Sequence, residues 1–492
     1  MSPRDLQYAE RRPAGAIGSA KAKRPPMTDR RPVSSIADVF TRPLTARGRV
    51  SGVERWLARR LLQAIGSPPV RLTLWNGEEI AANAKESVRL LECGDSSPLS
   101  VERSELPHNV ATRKESGDES PHSKSIQGRP VPPPVARIVF RDRATFWKVL
   151  LDPDFQFGEA YSEGRLDVDG DLISLLETIY RSRAAVRRSG SVGHSGLLGR
   201  LHRAQANTPS GARQNIHHHY DIGDDFYRLW LDREMVYSGA YFADPAMTLE
   251  DAQLAKLDYV CRKLWLRPGE TVVEIGGGWG ALALLMARNY GVTVKSFNIS
   301  KRQLDFARRR AKAEGLDSRV EFIEDDYRNV AGRFDALVSL GMLEHVGASH
   351  YREFGRVADR CLGPAGRGLI QSIGQNTAAP VSPWIERRIF PGGYLPTLRQ
   401  MTDVFEPPGF SILDIENLRL HYAKTLRHWL DRFEAAAERV AAMFDRRFVR
   451  IWRLYLAGSC AAFTAGELQL YQVVFARPGL NEIPWSRTGL YG

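Results

Sequence analysis

The chain has 492 residues, so an average domain size of roughly 150 residues predicts two to three domains and excludes a single small binding module. Its 43% hydrophobic and 26% charged residues are typical of a globular protein, which excludes wholesale disorder and a collagen-like repeat. Lys and Arg total 69 against 57 for Asp and Glu, and the formal charge of +12 predicts a polyanionic partner, either a nucleic acid or an anionic membrane.

Cysteine usage and hydropathy limit the possible compartments. The four cysteines contain no CxxC pair, so the chain predicts neither a zinc ribbon nor a disulfide framework, and a reducing cytoplasmic setting fits best. No run approaches the roughly 18 apolar residues of a spanning helix, and the N-terminus lacks the apolar core of a secretory signal. We therefore expect a cytoplasmic protein that can lie on a membrane but does not span it.

The first part of the chain combines polar segments with a small folded domain. Residues 1–50 carry 11 Lys and Arg against 4 Asp and Glu, which predicts a disordered basic arm. Residues 51–190 are predicted to form a small α+β domain, interrupted by a polar insertion at about 84–134. Its predicted elements are a helix over Val53–Ile65, strands over Val70–Trp75 and Val135–Phe140, and helices over Thr145–Leu151 and Leu172–Tyr180.

After a Gly, Ser and Arg-rich linker at 191–214, strands and helices alternate through a catalytic domain over 215–480, which leaves a tail at 481–492. Strands are predicted at 272–275, 292–297, 320–323, 336–340 and 468–475, with helices beginning at Ala281 and Lys301. This alternation predicts an α/β fold with a mostly parallel sheet covered by helices on both faces. Leu426–Leu456 is predicted as one long amphipathic helical stretch rich in Arg.

A glycine-rich turn follows the first strand of this domain, at Gly276–Gly280. Glycines let backbone N–H groups approach a ligand, and the following helix N-terminus favours negative charge. Gly276, Gly278 and Ala281 also fit the loose dinucleotide pattern, but Asn298 stands where that site expects an acid for the ribose. Tight packing without any ligand is the structural alternative.

Polar residues near this turn favour a different cofactor. Glu274 precedes the glycines, Asn298 ends the next strand, and Asp326 and Tyr327 follow the third strand, where an acid and an aromatic ring can flank an adenine. This set of groups is the one expected for S-adenosylmethionine.

Six ordered motifs between about 208 and 478 then resemble the cyclopropane-fatty-acyl-phospholipid synthases and mycolic acid methyltransferases. They are His219–Tyr227 (HYDIGDDFY), Val236–Tyr241 (VYSGAY), Glu274–Gly280, Asn298–Gln303, Gly341–Gly347 (GMLEHVG) and Phe390–Pro396 (FPGGYLP). Phe157–Tyr161 (FGEAY) also resembles the N-terminal domain of that family. The resemblance implies a class I methyltransferase sheet, seven-stranded and Rossmann-like, preceded by a small lipid-associated α+β domain. It also implies methyl transfer from S-adenosylmethionine to a cis double bond of a phospholipid acyl chain, followed by proton removal and ring closure.

The resemblance assigns site residues as well. Those implied at the cofactor are Tyr237, Ser238, Glu274, Gly276, Gly277, Gly278, Trp279, Gly280, Asn298, Ile299, Ser300, Gln303, Asp326 and Tyr327. In the family a bound bicarbonate is the base, and the residues implied around it are Glu344, Tyr422, the main chain of Ile373, Gly239 and Gln371.

Two of these positions depart from the family pattern, because Gly239 replaces a Cys and Gln371 replaces a His. Gln371 can donate an amide N–H to an anion but cannot carry positive charge, so bicarbonate binding can be weakened or replaced. A methyl-branched or methylene-substituted product is therefore an alternative to a cyclopropane, and a catalytically weak lipid-binding relative is another.

Several other residues are interpreted structurally. Consecutive His217, His218 and His219 have none of the usual metal spacings, so no metal site is predicted. His345 is assigned a structural role and Cys460 no catalytic role. The arginines near Arg439, Arg446, Arg447, Arg450 and Arg453 either form a solvated face or contact lipid headgroups.

The expected partner is an anionic phospholipid membrane surface with unsaturated acyl chains, at the inner face of the membrane, and a homodimer is left open. Nucleic-acid binding is the rival from another class, but no interleaved aromatic and basic motif supports it.

Overall fold

The computed structural model describes residues 48–81, 135–188 and 222–490. The basic arm apart from residues 48–50, the insertion at 84–134, the linker at 191–214 and the histidines at 217–219 lie outside this range, and the predictions for them stay predictions. All described residues belong to one compact unit.

The first elements build a four-stranded sheet with helices packed on one side. They are α1 (Gly52–Ala64), β1 (Val70–Thr73), β2 (Glu79–Ala81), β3 (Ala136–Phe140), α2 (Arg143–Leu151), α3 (Pro153–Ser162), β4 (Leu166–Gly170) and α4 (Leu172–Arg188). The strand order is β2-β1-β3-β4, and only β1 and β3 run parallel. The predicted helices and strands of this region are confirmed, whereas β2, α3 and β4 were not predicted.

Helix α1 shows how local sequence sets an element boundary here. Ser51 caps it by accepting the N–H of Glu54, and the Glu54 side chain returns the contact to the Ser51 N–H, which satisfies two groups of the first turn. Arg143 donates to Glu54 at 2.5 Å and so ties α2 to the start of α1.

The second part of the chain builds a seven-stranded sheet. Its elements are α5 (Asp224–Tyr227), α6 (Leu249–Lys263), β5 (Thr271–Ile275), α7 (Ala281–Tyr290), β6 (Thr293–Asn298), α8 (Lys301–Ala313), β7 (Val320–Glu324), β8 (Phe334–Leu340), α9 (Leu343–Val346), α10 (Tyr351–Cys361), β9 (Leu362–Gln375), α11 (Pro383–Arg388), α12 (Leu398–Met401), β10 (Ser411–Asn417), α13 (Arg419–Ala435), α14 (Ala437–Met443), α15 (Arg446–Ala465) and β11 (Leu468–Ala476).

The order of this sheet is β10-β11-β9-β8-β5-β6-β7, and only β11 runs against its neighbours. Its central strands carry apolar side chains toward both faces, as in Val272 and Val273, because helices cover the sheet on each side. The predicted mostly parallel α/β sheet and the helices beginning at Ala281 and Lys301 are confirmed.

The prediction of one long helical stretch over Leu426–Leu456 was wrong. Helix α13 ends at Ala435, the short α14 ends at Met443, and α15 begins at Arg446. The second break has a local cause, since Asp445 adopts an extended conformation and accepts the N–H of Phe448 at 2.6 Å as the cap of α15.

Two arginines of α15 are bound to internal partners, one of them in the four-stranded sheet. Arg450 donates to the backbone oxygens of Tyr161 and Leu166 and pairs with Asp167 at 2.7 Å. Arg453 forms a bidentate pair with Glu434 on α13. The interpretation of these two arginines as headgroup contacts or as a solvated face is therefore wrong, because their side chains are committed to internal partners.

Among residues 48–81, 135–188 and 222–490, no helix is both long and apolar enough to cross a membrane.

Candidate active site

A cleft opens where the parallel strands β5, β6, β7 and β8 end, which is the edge at which α/β sheets bind ligands. Its walls come from the segments that follow these four strands. The lining residues are Ile275, Gly276, Phe297, Asn298, Ile299, Asp325, Asp326, Tyr327, Arg328, Met342 and His345.

The glycine loop at the end of β5 adopts a backbone that requires glycine. Gly276 and Gly280 have φ of +88° and +86°, a region that other residues rarely adopt. At Gly277 the requirement is steric, since a Cβ atom would lie 1.9 Å from Ser296 Oγ and 2.7 Å from Glu274 Oε2. The loop is therefore seated directly on the side chains beneath it.

Glu274 lies beneath the loop and does not line the cleft. Its Oε2 accepts the hydroxyl of Ser296 at 2.6 Å, and burial raises the pKa of the Glu274 carboxyl to about 7. Glu274, Gly277 and Gly280 were predicted as cofactor residues. None of them lines the cleft, and they determine the conformation of the loop instead.

Asn298, Ser300 and Gln303 form one hydrogen-bonded group beside the loop. Asn298 donates to Gly278 O at 3.3 Å and to Gln303 Oε1 at 2.9 Å, and its own oxygen accepts the N–H of Ser300. Ser300 caps α8 by accepting the N–H of Gln303. Of these three, only Asn298 lines the cleft.

The third strand supplies a polar corner of the cleft. The Asp326 carboxylate accepts the backbone N–H of Arg328 and its guanidinium, the latter at 2.9 Å. Tyr327 is buried, and its hydroxyl has no hydrogen-bond partner among the described residues. This orphaned polar atom at a cleft wall suits a ligand with hydrogen-bonding groups.

Tyr237 and Ser238 lie on the segment that precedes α6. Tyr237 Oη is 2.8 Å from Tyr455 Oη, and Ser238 Oγ accepts the Lys256 ammonium at 3.0 Å. Lys256 is buried, which lowers its pKa to about 8, and it faces Asp232 and Glu274. The buried Lys256 ammonium therefore links the Tyr237–Ser238 segment to the strand that precedes the glycine loop.

Trp279 turns away from the cleft into an aromatic cluster. Its indole N–H donates to Asp224 at 3.0 Å, and its ring lies 5.0 Å from that of Tyr227. Tyr227 contacts Tyr237, and Tyr237 contacts Trp429, which in turn meets Tyr422 edge to face at 5.9 Å. A continuous row of rings thus runs from the glycine loop to Tyr422.

Glu344 occupies the short helix α9 directly after β8. Its Oε1 accepts the N–H of Ile373 at 2.6 Å, whereas its Oε2 is buried without a partner in the described parts of the chain. Burial raises the pKa of this carboxyl to about 7, so a proton can reside there near neutral pH. The same hydrogen bond occupies the main-chain N–H of Ile373, which the family resemblance places at bicarbonate.

Gly239 and Tyr422 meet at Leu470. A Cβ atom on Gly239 would lie 2.9 Å from Leu470 Cδ2 and 3.1 Å from Tyr422 Cγ. Leu470 pairs with Ile373 across strands β11 and β9, and the Ile373 N–H donates to Glu344. Leu470 and Ile373 therefore connect the Gly239–Tyr422 contact to Glu344.

Gln371 lies two residues before Ile373 on the same side of β9 and is buried. Its amide oxygen accepts the Nε2 of Gln472 at 2.9 Å. It is therefore held by a neighbouring strand and not by Glu344.

Several lining residues were not predicted as cofactor contacts, namely Ile275, Phe297, Asp325, Arg328, Met342 and His345. All of them lie at or just beyond the end of a strand. The same criterion had predicted Asp326 and could have identified these residues as well. His345 is partly buried, and desolvation lowers its pKa to about 4, so its imidazole is neutral and fits a lining role without charge.

The residues at the cleft suit S-adenosylmethionine, because the bare glycine backbone and the carboxylates of Asp325 and Asp326 offer polar contacts, and Ile275, Phe297 and Met342 offer apolar ones. When bound, the cofactor supplies an electrophilic methyl group.

Comparison with known proteins identifies the family. The family model described as mycolic acid cyclopropane synthetase matches residues 207–473. This chain therefore belongs to the mycolic acid cyclopropane synthetase family. A second model, described as a domain of unknown function, matches residues 123–191. The chain is an S-adenosylmethionine-dependent methyltransferase.

Individual relatives in this family are similar over different shares of the chain. A "Probable fatty acid methyltransferase" from Pseudomonas putida is 35% identical over 372 residues, which cover 73% of this chain and 92% of that protein. The cyclopropane-fatty-acyl-phospholipid synthase of Escherichia coli K12 is 45% identical over 260 residues, 53% of this chain and 66% of the enzyme.

The solved structure of the mycolic acid cyclopropane synthase CmaA1 complexed with SAH and CTAB has a TM-score of 0.51 and 30% sequence identity. The aligned region covers 54% of this chain and 98% of the CmaA1 chain. The class I methyltransferase fold predicted for the second domain is confirmed by this likeness and by the seven-stranded sheet.

Proposed function

We propose that this methyltransferase acts on the cis double bonds of unsaturated phospholipid acyl chains and forms cyclopropane fatty acids. The observation that carries the proposal is the buried Glu344 carboxylate, one oxygen of which has no hydrogen-bond partner in the described chain. Its other oxygen is held by Ile373, whose cross-strand neighbour Leu470 lies at the contact between Gly239 and Tyr422. The similarity to a cyclopropane-fatty-acyl-phospholipid synthase over 260 residues supports the same substrate class.

The aromatic cluster suits the chemistry of an alkene. An alkene is a weak nucleophile, so positioning in a dry pocket has to supply much of its rate. Cationic character that develops on the acyl chain is stabilised by ring faces, and Tyr237, Trp429 and Tyr422 present such rings side by side.

Ring closure requires that one proton leave, and the groups around Glu344 suit that step. Bicarbonate is the proposed second ligand, and it would supply the base. Glu344, Tyr422 and Gln371 are the residues proposed to bind it. The donor chemistry fits, since a Tyr hydroxyl, an amide N–H and a protonated carboxyl can each donate to a small oxyanion. The Ile373 N–H is excluded from this set because it already donates to Glu344.

An anionic membrane is the proposed partner, and α1 offers a surface of the right character. On its outer face Val53 is 61% and Trp56 is 55% exposed. Arg59 and Arg60 lie exposed on the same face, and the Arg60 guanidinium stacks over the Trp56 ring at 5.2 Å. Trp at headgroup depth beside basic residues is typical of helices that lie in a membrane interface.

Vesicle flotation tests this surface. We expect the protein to float with anionic phospholipid vesicles, and the double substitution Arg59→Glu and Arg60→Glu to lower the bound fraction. The matched control is Arg309→Glu with Arg319→Glu, which changes the same charge at exposed positions on α8 and just before β7. Equal loss in both double variants, or stronger retention on DNA than on vesicles at matched salt, contradicts the membrane surface.

Lipid analysis tests the reaction. Cells that express the protein should contain acyl chains heavier by one methylene, with fragmentation that locates a ring at the former double bond. A methyl-branched or methylene-substituted chain is the second candidate, which the replacement by Gln371 and the similarity to a named fatty acid methyltransferase favour. Absence of any modified lipid despite S-adenosylhomocysteine binding would identify a lipid-binding relative.

A further inference from the structure

A buried row of polar side chains crosses the seven-stranded sheet next to the proposed reaction site. Lys263 on α6 donates to Gln472 Oε1 at 2.8 Å, and Gln472 Nε2 donates to Gln371 Oε1 at 2.9 Å. Gln472 and Gln371 face each other in register on β11 and β9. We call this row the Lys263 relay.

The direction of every hydrogen bond in the relay follows from its first member. An ammonium group has donors and no acceptor, so the atom of Gln472 that meets Lys263 has to be the amide oxygen. Gln472 then has only its amide nitrogen left to offer, and the atom of Gln371 that receives it has to be oxygen. The orientation of both amides is therefore set by chemistry, although oxygen and nitrogen atoms of an amide are otherwise hard to distinguish.

Lys263 cannot easily leave this position. Only 1% of its side chain is exposed, and its ammonium is also 2.5 Å from Glu416 Oε2 and 4.7 Å from the centre of the Tyr259 ring. Breaking such a buried pair is costly because it leaves an uncompensated charge. The start of the relay is thus the best-held part of it.

The far end of the relay is the amide nitrogen of Gln371. Because the amide oxygen of Gln371 is on Gln472, this nitrogen faces away from the Gln472 side chain, and β8 is the strand on the other side of β9. Strand β8 pairs Leu340 with Gln371 and leads directly into the helix that carries Glu344.

We propose that Lys263 and Gln472 are positioning residues that present the amide nitrogen of Gln371 as a fixed hydrogen-bond donor on the Glu344 side of the sheet. The acceptor is an oxygen atom of a small anion or of the lipid substrate. This inference rests on the proposed function, in which Gln371 belongs to the reaction site.

The test reverses the relay with a nearly isosteric change. In Gln472→Glu, the carboxylate still accepts from Lys263 but has no donor for Gln371, so Gln371 rotates its nitrogen toward the introduced carboxylate and presents its oxygen at the site. We expect kcat to fall by about tenfold, the loss typical of one hydrogen bond, with the KM for lipid and the Kd for S-adenosylhomocysteine little changed.

The rescue variant is Gln371→His combined with Gln472→Glu, because an imidazolium can donate to the introduced carboxylate through one nitrogen and to the site through the other. Its kcat should exceed that of Gln472→Glu alone. The matched control is Gln469→Glu, the same change on the same strand, where Gln469 is buried but contacts Asn417 and Gly466. This control should retain the wild-type kcat.

A wild-type kcat in Gln472→Glu overturns the proposal, as does an equal loss in Gln469→Glu or a loss that Gln371→His does not relieve. Neutron crystallography locates the amide deuterons independently of any activity assay. In the wild type the Gln371 deuterons should face away from the side chain at position 472, and in Gln472→Glu they should face toward it. If the wild type modifies no lipid while this reversal is seen, the proposed function fails and the relay stands.

Discussion

The Ile373 N–H donates to one oxygen of Glu344 at 2.6 Å and leaves the other carboxylate oxygen buried without a partner in the described chain. One oxygen is thus used to hold the side chain, and the second is available for chemistry. This division fits the proposed role, in which a carboxylate held through one oxygen contributes the other to the reaction site.

Glu344→Gln keeps the shape and the hydrogen bond from Ile373 but cannot exchange a proton. We expect turnover to fall by about two to four orders of magnitude, because the proton-transfer step depends on the bicarbonate that Glu344 is proposed to hold. Binding of S-adenosylhomocysteine, measured by calorimetry, should stay unchanged because Glu344 does not line the cofactor cleft. Equal turnover in the variant contradicts the catalytic role.

The same substitution should alter the pH dependence of stability. Burial raises the pKa of Glu344 from 4.5 to about 7, so the folded protein binds this proton more tightly than the unfolded chain does. The resulting penalty on folding is absent below pH 4.5, grows between 4.5 and 7, and is complete above 7. Glu344→Gln should therefore gain stability over the wild type as pH rises, by up to about 3 kcal/mol, in thermal unfolding scans. A difference that does not vary with pH contradicts the raised pKa.

Gly277→Ala tests the close packing of the glycine loop on the side chains of Ser296 and Glu274. Its new methyl group would lie within 1.9 Å of Ser296 Oγ and 2.7 Å of Glu274, so the loop has to lift. We expect a loss of about 1–3 kcal/mol in stability and clearly weaker S-adenosylhomocysteine binding. Gly315→Ala, in the turn after α8, is the control, because its φ of +67° costs about 1 kcal/mol but its Cβ meets open space outside the glycine loop. Weaker binding by the control than by Gly277→Ala would be inconsistent with this account.

Lys256 links Ser238 to the charges beneath the glycine loop, so replacing it should remove contacts on both sides and lower the stability of the folded protein. Lys256→Met leaves Asp232 and Glu274 without the cation that faces them, and we expect a loss of about 3 kcal/mol. Ser238→Ala removes only the contact at 3.0 Å and should cost about 1 kcal/mol. Denaturant unfolding of both variants measures this ranking, and the reverse order contradicts it.

The FGEAY motif has a structural consequence for the site. Gly158 packs so closely on Trp384 that a Cβ atom would lie 2.5 Å from the indole ring, and Glu159 pairs with Arg388. The chain from Arg388 continues to Tyr394, whose N–H donates to the backbone oxygen of Glu344. Gly158→Ala should therefore lower both the melting temperature and turnover. Gly52→Ala, which meets open space in α1, serves as the control and should change neither.

Local patterns predicted the framework well and the contacts between distant elements poorly. The strand at 271–275 and the glycine turn after it were predictable, since an apolar run followed by glycines has few alternative structures. The break near Asp445 was missed because helical periodicity continues through it and the cap depends on one side chain.

The site shows the same limit. Gln371 was singled out by its motif, but its orientation depends on Gln472, which is 101 residues away, and on Lys263, which is 209 residues from Gln472. Likewise, Arg450 was interpreted from composition alone, whereas its partners Tyr161, Leu166 and Asp167 come from α3 and β4, 283 to 289 residues earlier in the chain. No local pattern contains such pairings, because they are properties of the packed sheet.

In the proposed reaction this enzyme closes a ring on an acyl double bond. The most direct measurement uses the purified protein, vesicles of unsaturated anionic phospholipid and S-adenosylmethionine with a fully deuterated methyl group, followed by fragmentation mass spectrometry of the acyl chains. We predict a product that has lost one methyl deuteron and fragments as a cyclopropane at the former double bond. A product that keeps every methyl deuteron, or one that carries an exocyclic methylene, would contradict ring closure.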